Sequence, residues 1–198
     1  MIQSPHSDRD TAQHRVAQAI LDAISLIPGT QEVKSATPES RAHAIQTTAA
    51  LKAAAVSGSL ALPPGPWGML TVIPDLLTIW RIQAQMVADI AGAFGKQASL
   101  TREQLMYCLF KHAAAQAVRD LAARLGERLL FRRATLRTLE TVAQRLGVKV
   151  TQRMIATSAS RWLPVLGAVG VAGYAYYDTQ QVASTALTLF QQPDLEQN

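Results

Sequence analysis

Cys108 and His112 stand four residues apart, so on a helix a thiol and an imidazole share one face. That pairing could ligate a metal or activate a thiolate. Two ligands fall short of a zinc site, and His6, His14 and His43 add no matching spacing. A buried thiol beside a core histidine is the plainer reading. Asp75 is the other conspicuous group, a lone acid inside the apolar run "LPPGPWGMLTVIPDLLTIWRIQ". It follows Pro74, and proline favours the first helical position. An acid in a first turn meets free N–H groups and the positive end of the helix dipole, worth about 0.3–1 kcal/mol. Asp75 therefore reads as a helix-start residue rather than a catalytic one. If buried, it needs a partner, with Lys52, Arg81 and Arg161 as candidates. Asp75 with Glu103 or Asp89 makes no supported acid–base pair. There is no phosphate loop, no G-x-S-x-G and no H-E-x-x-H. The sequence thus points to no catalytic residue, no metal and no cofactor.

The basic residues form a third group. From Lys111 to Arg161 there are eleven Lys and Arg against three acids, a local balance of +8. Arg124, Arg128 and Arg132 repeat every four residues and share a helix face if the helix continues past Gly126. With Arg119, Arg133 and Arg137 they are the candidate contact to an anionic membrane surface or a membrane-protein partner. Near an anionic leaflet each basic residue adds about 1 kcal/mol. The plain alternative is a solvated face with i,i+4 pairing. Nucleic acid is disfavoured, because Tyr107, Phe110, Phe131 and Trp162 do not recur as a stacking platform.

Composition frames these groups. Over 198 residues, 48% are hydrophobic and only 17% charged, with a net charge of +5. Soluble domains average about 25% charged residues. The deficit points to a very apolar bundle or to membrane contact, and the positive balance to an anionic partner. A single cysteine excludes an intrachain disulfide. The opening "MIQSPHSDRDTAQHR" has no apolar signal core. A cytoplasmic protein peripheral to the cytoplasmic membrane is expected.

The elements that must position these residues read as helices. Residues 1–10 are expected to fray and 191–198 to form a tail, around one domain over 11–190. Val16, Ile20, Ile24 and Ile27 recur at helical spacing, and Pro28-Gly29 should stop that helix. Thr37-Pro38-Glu39 starts a second, expected to end near Gly58. A third runs from about Pro74 to Phe94 and ends at Gly95. Thr101 and Gln104 form a capping-box pair for a helix expected to reach Leu125. Leu136, Leu139, Val142 and Leu146 mark another, closed at Gly147, and "VKVTQRMIATSASRW" one more. No period-2 alternation or hairpin turn appears. The fold class is all-α, a single-domain bundle of about seven or eight helices.

Two apolar segments interrupt this pattern. Residues 53–74 are 22 uncharged residues holding four prolines and three glycines. Pro63-Pro64-Gly65-Pro66 cannot continue a helix, which argues against a straight span. Residues 162–177 are 16 uncharged residues with Gly167, Gly170 and Gly173 at every third position. Such small residues let helices approach closely, and Trp162, Tyr174, Tyr176 and Tyr177 flank them as interfacial aromatics do. Both segments are expected to be Gly/Pro-broken helical hairpins.

"VSGSLALPPGPWGMLTVIPDLLTIWRIQAQMVADIAGAFGK" resembles the hallmark of the EcsC family. A small-residue helix end leads to a Pro-Gly turn at Gly65, an apolar run, the Pro74-Asp75 start and an A-x-x-x-G close at Gly95. "RWLPVLGAVGVAGYAYYDTQQVASTAL" is similar to the second signature, Pro164-x-x-Gly167-Ala followed by Gly170, Gly173 and aromatics. The resemblance covers about residues 37–190. At Tyr176-Tyr177-Asp178 this chain departs from the asparagine that members often carry. The resemblance implies a bacterial helical protein near membranes, linked to an ABC transporter, with no known catalytic residues. The functional expectation is a non-enzymatic membrane-associated protein, an accessory or regulator of transport or envelope processes. The alternative is a soluble helical scaffold or adaptor whose apolar segments are simply core.

Overall fold

The computed structural model describes residues 5–60, 68–112, 136–157 and 164–192. These form six α-helices: α1 (Pro5–Ser25), α2 (Pro38–Leu60), α3 (Gly68–Ala93), α4 (Arg102–Phe110), α5 (Leu136–Thr157) and α6 (Pro164–Gln191). A 3₁₀ turn, Gln97–Ser99, precedes α4, and there is no strand among the described residues. The protein is all-α.

The apolar stripes read from spacing make the core. Val16, Ile20 and Ile24 of α1, Trp80, Val87 and Ile90 of α3, Met106 and Phe110 of α4, and Leu139, Val142 and Leu146 of α5 are all buried in one cluster. Trp80 meets Phe110 edge to face, with ring centroids 5.2 Å apart. Such a contact is worth about 0.5–1.5 kcal/mol beyond area burial. Buried alanines at 42, 49, 50 and 53 line α2, which lies along α6 in the most extensive helix pair described. Removing side-chain bulk from that seam is what lets the two backbones come close.

The local signals work as chemistry dictates. Pro38 opens α2. The Thr101 hydroxyl accepts from the Gln104 amide while the Gln104 side chain takes the Thr101 N–H, a complete capping box. Gly95, at φ +72°, ends the α3 turn. Its N–H donates to Gly92 at 2.8 Å and that of Lys96 to Ala91 at 2.7 Å, the Schellman pattern. The connector from α1 to α2 is tied to α3 by Ser35 N–H donating to the Ala93 carbonyl at 2.9 Å and by Thr30 donating to Asp89 at 2.5 Å.

Four sequence expectations need correction. First, α1 begins at Pro5, inside the stretch expected to fray, because proline suits a first helical position. Second, α3 begins at Gly68, so Pro74 and Asp75 are its seventh and eighth residues and Asp75 is not in a first turn. Third, α5 runs through Gly147 as one helix. A Cβ there would lie 2.8 Å from the Gln13 carbonyl oxygen and 3.2 Å from Ala17, so this glycine admits α1 rather than ending a helix. Fourth, α6 is one unbroken helix of 28 residues through Gly167, Gly170 and Gly173, so the second apolar segment is a rod and not a hairpin. The helix expected to reach Leu125 is described only as far as α4 and the turn at Lys111–His112, and its remainder lies outside the described residues.

The two glycine environments give opposite predictions. Gly147→Ala should lower stability by about 1–3 kcal/mol through overpacking. At Gly170 no described residue lies within 4 Å of where a methyl group would stand, so Gly170→Ala should raise stability by about 0.5–1 kcal/mol. Urea midpoints of the two variants check this, and equal shifts in the same direction would contradict the α1–α5 contact.

Candidate functional site

The chemistry-bearing residues that the fold brings together lie where α3, α4 and α6 meet. Gln83 of α3 is fully buried, three residues after Trp80 on the same side of the helix. Its side-chain amide donates to Asp178 Oδ2 at 2.8 Å and to the Thr179 hydroxyl at 3.2 Å. The other carboxylate oxygen, Asp178 Oδ1, lies 2.6 Å from His112 Nε2. His112 stands in the turn closing α4, two residues after the Phe110 ring that rests on Trp80. The carboxylate is thus held on both oxygens by groups from two other segments. Gln83 Oε1 and His112 Nδ1 are buried without a hydrogen-bond partner.

This arrangement decides how Cys108 and His112 behave. Cys108 is fully buried, and burial pushes its thiol up to about 12. Little thiolate is therefore present at neutral pH. The imidazole is engaged by Asp178. Among the described residues no group of three His, Cys, Asp or Glu could hold a metal. What the cluster does is tie α3 and α6 to the turn after α4, because a carboxylate removed from water is costly unless partnered.

A second polar feature is an open groove of about 250 Å³ between α2 and α3, floored by Ile45, Ile82 and Met86. Arg41 grips Glu32 beside it through two bonds of 2.9 and 2.6 Å. The hydrogen bond from Arg41 lowers the Glu32 carboxyl below its ordinary value. That contribution to stability is complete above the ordinary carboxylate range and is lost as pH falls through the lowered value.

Just beyond the polar cluster, toward the start of α6, the surface changes. Val169 is 68% exposed, Tyr174 57% and Tyr177 61%. With Gly170 and Gly173 they form one helical face, and no described residue lies where a Cβ of either glycine would be. Among the described residues, the small-residue row seats no neighbouring helix at these two positions, contrary to the expected close approach.

The other residues singled out by the sequence are dispersed. Arg119, Arg124, Arg128, Arg132, Arg133, Arg161 and Gly65 lie outside the described residues, and Arg137 is the second residue of α5. Pro164 is the first residue of α6, with Gly167 one turn in. Lys52 and Arg81 are exposed. Sequence reasoning missed the Asp178 cluster. Its signal was present: Asp178 is the one charged residue in all of α6. Comparison of the chain with family models, curated proteins and solved structures gave no match.

Two outcomes follow from this geometry. Asp178→Ala should cost about 1–3 kcal/mol, since it strands buried donors on Gln83 and His112. A urea midpoint within error of the parent would show that the carboxylate does not bind these helices together. Cys108 should resist iodoacetamide at pH 8 in the folded chain and react promptly in urea, and rapid native alkylation would contradict its burial.

Proposed function

We propose that this chain is a non-enzymatic helical protein that binds the anionic face of the cytoplasmic membrane, alone or beside a membrane-protein partner. As the EcsC-like motifs imply, it would serve in a bacterial cell as an accessory or regulator of transport or envelope processes. The observation that carries this reading is a charge-free, partly aromatic surface on a chain that is otherwise strongly basic: Val169, Tyr174 and Tyr177 are exposed along α6 before its single charge. Exposed apolar surface of this kind marks interaction sites with proteins or membranes.

Association from the surface is the mode that fits the helices. Among the described residues no helix is long and apolar enough to cross a membrane. The eleven basic residues between Lys111 and Arg161 supply the electrostatic attraction, which salt would screen. No reaction is assigned, because Cys108 is held as a buried thiol and His112 is engaged by Asp178.

Vesicle flotation tests the proposal. The purified chain should rise with vesicles of phosphatidylcholine and phosphatidylglycerol at low salt, and much of it should be released as salt is raised. Replacing Arg124, Arg128 and Arg132 together by alanine should weaken binding roughly 100-fold, at about 1 kcal/mol for each charge. A chain that ignores anionic vesicles at low salt and needs no detergent at any stage would instead be a soluble scaffold.

A further inference from the structure

Four contacts set the relative heights of α2, α3 and α6. Gln191 of α6 reaches Glu39 near the start of α2 at 3.1 Å, and Ser57 near the end of α2 reaches the Val171 carbonyl at 3.5 Å. These two helices therefore run antiparallel, and Lys52 stands level with Tyr176 and Tyr177. Gln83 bonds Asp178 and Thr179, and Lys96 reaches the Gln192 carbonyl at 2.5 Å. So α3 and α6 run parallel, and Arg81 stands at that same level. Lys52, Arg81 and Tyr177 are all exposed.

Beyond this level lie eight residues of α2, thirteen of α3 and thirteen of α6, with Asp75 their one charge. At 1.5 Å per residue they extend about 12 Å on α2 and about 20 Å on α3 and α6. Among the described residues, a cap with Asp75 as its one charge thus rises above a level marked by two cations and a tyrosine. Interfacial proteins show this order because cations and tyrosines favour the headgroup layer while apolar groups favour the acyl boundary.

We infer that this end of the bundle, with the Val169 and Tyr177 face of α6 leading, enters the interfacial layer of an anionic phospholipid bilayer while Lys52 and Arg81 meet lipid phosphates. The inference rests on the membrane reading above and adds to it an orientation and a depth. The axis of α6 stands steeply on the surface rather than lying along it. Entry is shallow: Asp75 is six residues, about 9 Å, beyond Arg81, and an acid opposes deeper passage into hydrocarbon. The long-range pull of the Arg-rich segment is a separate contribution, sensitive to salt, whereas burial of Val169 and Tyr177 is not.

Single labels test the orientation. Val169→Cys and Thr188→Cys place a bimane on exposed positions near opposite ends of α6, and the buried Cys108 does not compete for the reagent. With vesicles of brominated phosphatidylcholine and phosphatidylglycerol, the label at 169 should be quenched at least threefold more than the label at 188. In unlabelled protein, Val169→Asp should weaken vesicle binding about tenfold and Thr188→Asp should leave it unchanged, with circular dichroism verifying the fold. A chain that floats with vesicles while both labels are quenched alike, or only the label at 188, overturns the orientation and leaves the membrane reading standing. A chain that does not float removes both. A label at 169 that becomes shielded with rising protein concentration, without lipid, overturns the inference in favour of a second copy on this face.

Discussion

The Asp178 carboxylate is the constraint on which the arrangement of helices depends. It sits between the buried amide of Gln83 and the imidazole of His112, at 2.8 and 2.6 Å. A partly buried charge tolerates little displacement, because each lost bond exposes it to an environment that solvates it poorly. The position of α6 is thereby set against α3 and against the end of α4. The Trp80–Phe110 contact reinforces the same junction from the apolar side. Between α2 and α6 the register is marked by the Gln191–Glu39 and Ser57–Val171 contacts. Beyond Lys52, Arg81 and Tyr177 the described helix ends carry one charge, Asp75, while core packing continues there through Ala53, Trp80 and Ala175.

Much of the fold was legible because its signals are local. Apolar residues at helical spacing, Pro38 at a helix start, the Thr101–Gln104 capping box and Gly95 at a helix end each act within a turn or two of chain. Gly147 was misread because a glycine ends a helix or admits a neighbour for the same reason, the missing Cβ. Only the presence of Gln13 and Ala17 on α1 tells the two apart. Pro74 was misread because a proline start signal is a preference, and the apolar residues before it carry the helix back to Gly68.

The Asp178 cluster shows the limit more sharply. Its partners are 66 and 95 residues away in the chain, so no spacing rule connects them. The unusual feature that sequence does offer is a lone acid in a long uncharged helix. Asp75 shares α3 with Arg81 and Asp89, and its proline neighbour gives it a ready local explanation that Asp178 lacks. Of the candidate contact residues, Arg137 is placed on α5, and Tyr174 and Tyr177, which sequence already suggested as interfacial aromatics, are joined by Val169 on an exposed face. Gly170 and Gly173, which suggested a helix seam, lie open on that face among the described residues.

On the proposed membrane reading, the described ends of α2, α3 and α6, with Asp75 as their one charge, form the surface that meets lipid. Segment-resolved hydrogen exchange, with and without anionic vesicles, tests it most directly. Exchange should slow at the end of α2 and over residues 164–177, with residues 178–191 unchanged. Slowing confined to the second half of α6, or none in either segment of a vesicle-bound chain, would contradict it.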